Sequence, residues 1–245
     1  MLPFIAPIIA TLSSFTGTVA QALVKLAPTI ASALSKVAPM LESIAKPILE
    51  IAPKIGNLIS VVVNTINEIT KVLGLVKGDM SPDELGERAL QHPEINPGNC
   101  SSAKEYVDKL QEADFDVEKF KNLTPGERAM AVAVGVGLEI KALCERFKMD
   151  VPIQYFEMAA KGNMTASDAA KLLSALSANG VRDAGQIVNY VAGCLRPEHS
   201  QRVKDAVSQY ESEGGRPMSE IESDIANEVV ASAPVADMEL GADGK

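Results

Sequence analysis

From Ile5 to Val76 the large apolar residues recur every three or four positions without a gap. In order they are Ile5, Ile8, Leu12, Phe15, Val19, Leu23, Leu26, Ile30, Leu34, Val37, Leu41, Ile44, Ile48, Ile51, Ile55, Leu58, Val62, Ile66, Ile69, Leu73 and Val76. The mean step, about 3.55 residues, lies between the heptad spacing of a left-handed coiled coil and the turn of a straight helix. A strand would need period two, so the stripe specifies helix. Between Leu34 and Val62 the steps alternate strictly three and four, as a and d positions do. At Leu26–Ile30–Leu34 and Leu58–Val62–Ile66 two fours follow each other, a stutter that relaxes the supercoil.

A second stripe of small residues lies beside the first. Ala20 and Ala27, then Ala31, Ala38, Ala45 and Ala52, are spaced seven apart and would let neighbouring helices approach closely. Lys25, Lys36, Glu42, Lys46, Glu50, Lys54 and Glu68 gather on the opposite side at helical spacing. Pro28, Pro39, Pro47 and Pro53 interrupt the hydrogen bonding of such a helix, at about 3 kcal/mol each in an interior. The residues before them (Ala27, Ala38, Lys46, Ala52) are poor N-caps, no Gly falls between Gly17 and Gly56, and the apolar register runs through all four. The expectation is a bent continuous helix with its apolar seam on the inner curve. If continuous it would form a rod of about 108 Å.

Charge divides the chain. Residues 1–78 carry six Lys and three Glu, net +3, so the total of −9 leaves −12 on residues 79–245. Residues 2–24 carry no charged side chain, which suits a membrane-contacting tip of Leu2, Phe4, Ile5, Ile8, Ile9, Leu12 and Phe15. Pro3, Pro7, Gly17 and several hydroxyl residues argue against a stable transmembrane anchor. Ala20-Gln21-Ala22 has the look of a signal-peptidase site, but no basic stretch precedes the apolar run, so a cleaved leader is not expected.

Beyond Val76 the pattern becomes a series of helix starts and stops. Ser81-Pro82-Asp83-Glu84 opens a helix to Gln91, and a Pro- and Gly-bearing loop follows over 92–101. Ser102-Ala103-Lys104-Glu105 is a capping box for a helix to about Gln111, and Asp116 caps a short one through Phe120. Thr124-Pro125-Gly126-Glu127 is a second box, opening a helix to about Lys148. Further helices are expected from Pro152 to Lys161, from Thr165 to Asn179-Gly180, from Asp183 to Leu195, from Pro197 to Tyr210 and from Pro217 to Ala231. Ala129 to Leu138 alternates at period two and could be read as a strand, but the box before it and the Glu139, Lys141, Glu145 and Lys148 charges after it favour helix. The fold class is therefore all-α: a long proline-bent amphipathic helix, then six to eight short helices in a bundle, then a disordered acidic tail. The expected divisions are an apolar tip over 1–24, an oligomerisation helix over 25–78, an acidic bundle over 79–232 and the tail over 233–245.

Chemistry-bearing residues are sparse. Gly135-Val136-Gly137 lacks the third glycine, the preceding strand and the Lys-Ser/Thr ending of a phosphate loop, and its small residues suit close helix contact instead. Glu157, Asp168 and Asp183 read as cap or solvated-face carboxylates. Cys100, Cys144 and Cys194 are odd in number and widely spaced, which points to a reducing compartment, with Cys144 and Cys194 as buried inert thiols. His92 and His199 have no nucleophile at motif spacing and supply little for a zinc site. No catalytic, cofactor or metal constellation is expected, and nucleic-acid contact would be at most nonspecific.

The functional expectation comes from architecture. Leu23, Leu26, Ile30, Leu34, Val37, Leu41, Ile44, Ile48, Ile51, Ile55, Leu58, Val62, Ile66, Ile69 and Leu73 form an oligomerisation seam, with Ala31, Ala38, Ala45 and Ala52 as its small-residue flank. The leading reading is a non-enzymatic, self-assembling structural protein whose helices form a bundle or tube that contacts or crosses a membrane. A conduit component of a virion or secretion machine would need these features. Its partners are expected to be copies of itself, membrane lipid and other structural proteins of an assembly. The alternatives are a membrane-permeabilising toxin or effector, and an enzyme whose site in the helical body leaves no sequence signature.

Overall fold

The helix boundaries follow from local chemistry at both ends of each segment. In the computed structural model the described residues are 58–232, and among them are ten α-helices, one 3-10 turn at Pro97–Asn99 and no strand. The helices are α1 (Leu58–Val72), α2 (Pro82–Gln91), α3 (Ala103–Glu112), α4 (Val117–Lys121) and α5 (Pro125–Phe147), followed by α6 (Ile153–Lys161), α7 (Ala166–Ala178), α8 (Gly185–Val191), α9 (Pro197–Ser212) and α10 (Met218–Ser232). The all-α class stands, with nine helices after residue 79 among the described residues where six to eight were expected. The apolar tip, the seam from Leu23 to Ile55, the alanine flank, the four prolines and the tail lie outside the described residues.

At the N-termini, hydroxyl and carboxylate side chains accept the amide protons that have no partner within the helix. Ser81, Ser102, Asp116, Thr124 and Thr165 accept from Glu84, Glu105, Lys119, Glu127 and Asp168 respectively. The box at Thr124 is reciprocal, Glu127 taking the Thr124 amide at 2.9 Å. At Ser102 it is offset by one residue, since the Glu105 carboxylate takes the amide of Ser101 at 2.7 Å instead. At the C-termini, α1 closes on Gly74, whose φ of 66° is left-handed. Gly74 N–H donates to Lys71 at 2.9 Å and Leu75 N–H to Thr70 at 2.8 Å, satisfying two orphan carbonyls. The same pair of bonds recurs at Asn163, Gly180, Gly193 and Gly214. The closure at Gly193 ends α8 at Val191, four residues before the expected Leu195, and leaves Cys194 outside the helix.

The 23 residues of α5 form the spine of the body. Val134 and Leu138 on one face belong to a core shared with Val76, Met80, Leu85, Ala89, Tyr106, Val107 and Leu110. Val136, Ile140, Leu143 and Phe147 on the opposite face belong to a larger core built with α1 and α6 to α10. A helix buried on two sides is apolar nearly all round, and that explains the strand-like alternation of Ala129 to Leu138. The first core is reached through a close crossing of α2 and α5. A Cβ on Gly86 would overlap the Ala131 carbonyl oxygen and lie 2.8 Å from the Gly135 nitrogen. The small residues of this stretch thus permit close helix contact, as their size implies.

One expectation needs correction here. Val62, Ile66 and Ile69, read as seam positions for other copies, are buried in the larger core of their own chain, and Leu73 packs partly against it. α1 lies against α5, α6 and α7, so the division expected at residue 78 falls inside one packed unit. The stripe identifies the buried face correctly and misidentifies what covers this last part of it. The helix also ends at Val72 rather than Val76, and Val76 joins the other core.

Candidate functional site

Where α1 crosses α5, a carboxyl group is sealed inside the protein. Glu139 is fully buried, between the two apolar faces of α5. Its neighbours at helical spacing are Gly135, Val136, Ala142 and Leu143, all buried. From α1, the Asn67 amide donates to Glu139 Oε1 at 2.6 Å and reaches the Met80 carbonyl at 3.4 Å. Asn67 and Thr70 are themselves buried. The Thr70 hydroxyl stands beside the carboxyl, but its proton goes to the Asn67 carbonyl oxygen at 2.8 Å. With that proton so placed, Glu139 Oε2 is left without a hydrogen-bond partner.

This geometry fixes the electrostatics. Burial pushes the Glu139 carboxyl up to about 8, against the opposing pull of Asn67, Thr70 and Lys71. An ionised carboxylate with one oxygen unsatisfied in an apolar surround is costly, whereas the neutral acid carries its own donor. With no exposed surface, Glu139 cannot meet a substrate in this arrangement; it can only hold or release a proton at the helix junction. Two other buried side-chain atoms, Tyr106 Oη and Gln111 Nε2 on α3, also lack a hydrogen-bond partner.

The other feature with chemical potential is a shallow depression of about 330 Å³ lined by Lys141, Cys144, Glu145, Lys148, Met149, Asp150 and Arg182. Three of its charged side chains are already engaged within the protein. Lys141 lies 3.3 Å from Glu145, Arg182 donates to the Lys148 carbonyl at 3.3 Å, and Glu145 accepts the Ala103 amide at 2.6 Å. Cys144 is half-buried, and burial raises its thiol pKa, which suits an unreactive thiol. Cys194 is exposed, contrary to the expectation of a buried thiol.

The carboxylates nominated from sequence remain apart. Asp168 accepts the Thr165 hydroxyl at 2.7 Å in the first turn of α7, and Asp183 accepts the Gly185 amide at 2.8 Å before α8. Glu157 is half-buried on α6. His92 bridges Glu94 and the Asp114 carbonyl, and its pKa is raised chiefly by the Glu94 hydrogen bond. Among the described residues no three His, Cys, Asp or Glu side chains gather as metal ligands, and no helix is long and apolar enough to cross a membrane.

Sequence reasoning places Glu139 in a run of charges following an apolar stretch and misses its burial. The available signal was its position. Residues three and four away on both sides are small or apolar, so a helix reading puts it on a buried face. No family model matches the chain, and neither the curated proteins nor the solved structures contain a match to it.

Proposed function

We propose that the chain is a non-enzymatic, self-associating structural protein. Residues Leu23 to Ile55 pack against the same segment of other copies, and the uncharged tip contacts or enters a membrane. The body is then a soluble head, and α1 is the joint that fixes the N-terminal segment to it. A component of a conduit through an envelope, in a virion or a secretion machine, is the assembly this reading suits.

The observation that supports the reading most is the continuity of the apolar register. The same three-four spacing runs from Ile5 into α1, where Val62, Ile66 and Ile69 are buried. Face-burying spacing of that kind upstream requires a cover too, and an uncovered stripe of this length would be an apolar surface far larger than soluble monomers expose. The six Lys of residues 1–78 add attraction to acidic headgroups.

Light scattering of the full chain, with and without detergent, tests this. An oligomer is expected, and Leu41→Asp combined with Ile48→Asp should dissociate it. A monodisperse monomer of the unaltered chain, or an unchanged mass after both substitutions, would overturn the proposal. Dye-loaded acidic vesicles separate it from a toxin, which would release dye on simple addition.

A further inference from the structure

The joint between α1 and the body contains the only described carboxyl oxygen that is buried without a partner, Glu139 Oε2. Glu87, also buried, accepts Lys119 at 2.8 Å and Gln91 at 3.0 Å. Glu139 instead depends on one amide donor, and that donor belongs to α1. The geometry points to a proton-operated latch: α1 is seated on α5 while Glu139 carries its proton, and is released when that proton leaves.

The atoms account for both states. In the protonated form Oε1 accepts from Asn67, and the acid O–H can turn to the Thr70 oxygen, whose own proton is already donated to the Asn67 carbonyl. Both carboxyl oxygens then have a partner. In the ionised form the only donor near the second oxygen is the Thr70 hydroxyl, which would have to leave the Asn67 carbonyl to serve it, and water can reach it only if α1 lifts. The charged groups that face Glu139 from α1 are Lys71 and Glu68, 3.4 Å from each other and opposed in their effect on it. From α2 the buried acid is Glu87, held by Lys119, and on α5 itself Lys141 pairs with Glu145. From the connection to α2 the cluster receives only the Met80 carbonyl, an acceptor. None of these supplies a second donor to Oε2.

What α1 leaves behind is apolar. Val62, Val63, Ile66 and Ile69 would come out of the larger core together. α1 is also the chain's passage from the N-terminal segment to the body, so the latch sets whether the helix that carries that segment is held in the body. This inference stands on the α1–α5 contact alone and does not depend on the assembly reading.

Amide exchange of the full chain tests it, read as protection factors so that the intrinsic pH dependence of exchange is divided out. Amides of Val62 to Val72 should be at least about tenfold less protected than those of α7, showing an opening smaller than global unfolding. Their protection should fall about tenfold per pH unit between the ordinary carboxylate range and about 8, then level off. Glu139→Gln, which keeps the shape and removes the charge, should abolish this slope. Protection of α1 that is flat over that range, a slope that persists in Glu139→Gln, or α1 and α7 exchanging equally at every pH would each overturn the latch. Should Glu139→Gln fail to fold, carboxyl-carbon NMR of the unaltered chain decides the matter. Glu139 should titrate near 8 together with the amide shifts of Ile66 to Lys71, and titration in the ordinary carboxylate range would refute it.

Discussion

Replacing Gly135 with alanine tests how α2 and α5 are held together. In an exposed helix this change stabilises by about 1 kcal/mol, because alanine loses less backbone entropy than glycine. Here the added methyl would overlap the Pro82 carbonyl oxygen, with the carbonyl carbon 2.7 Å and the Gly86 nitrogen 3.1 Å away. All three are backbone atoms, so no rotamer change relieves the overlap, and α2 must move off α5 by about 1 Å. A gap of that size forfeits a quarter to a half of the dispersion attraction across the contact. The side chains that lose it include Leu85, Ala89, Val134 and Leu138, all buried in the smaller core. Overpacking of this kind costs about 1–3 kcal/mol, and we expect the upper end because the obstacle is rigid. At about 2–4 °C per kcal/mol for a chain of this size, the thermal midpoint should fall by roughly 6–12 °C, followed by far-UV circular dichroism. A midpoint that stays put or rises would mean that helix propensity outweighs the crossing, and the close-contact account would be wrong. Gly86→Ala should behave the same way, since its methyl meets the Ala131 carbonyl.

Ile66→Ala empties a fully buried site in the larger core and should cost about 2–5 kcal/mol in urea unfolding while leaving the mass of the protein in solution unchanged. Loss of assembly with intact stability would return Ile66 to the seam. The pH profile of unfolding follows from Glu139, whose folded pKa is raised from 4.5 to about 8, so the folded state binds the proton more tightly. Its contribution is complete below about 4.5 and is lost as pH rises through about 8, amounting to roughly 4 kcal/mol between about pH 5 and 8. Glu139→Gln should flatten that decline in a urea series. Glu105, held down to about 2 by Lys109 and Ser101, loses its contribution only as the solution becomes acidic and does not mask the trend. Arg216→Ala removes donors to the Gly162 and Asn163 carbonyls and to Asp224, and should free α10 for limited proteolysis at a cost of about 1–2 kcal/mol. Unchanged cleavage within 218–232 would show that Ile221, buried against α6, holds the helix alone.

Helix punctuation was legible in the sequence because its causes are local. A hydroxyl before a Pro, or a Gly after the last apolar residue, acts within one turn, and the starts at Pro82, Ala103, Val117, Pro125 and Ala166 follow from such signals. The shortened α8 shows the limit, because the left-handed turn at Gly193 overrides the apolar residues that continue past it. The partner of a face is a different matter. Period alone assigns Val62, Ile66 and Ile69 to a buried stripe, and says nothing of whether a sister molecule or α6 and α7 lies on it. Glu139 was obscured for the same reason. Its buried neighbours are visible on a helical wheel, but the Asn67 amide that meets it comes from 72 residues away.

The placement of α1 also governs how this protein can be divided. A fragment starting at residue 79 follows the change in sequence character, yet it would be made with a trough where Ile66 and Ile69 belong and would be expected to aggregate. Cutting ahead of Leu58 keeps that trough filled. By the same connectivity, tension applied at the start of α1 would act on a helix whose Ile66 and Ile69 are part of the core, so the interior of the body would bear the load.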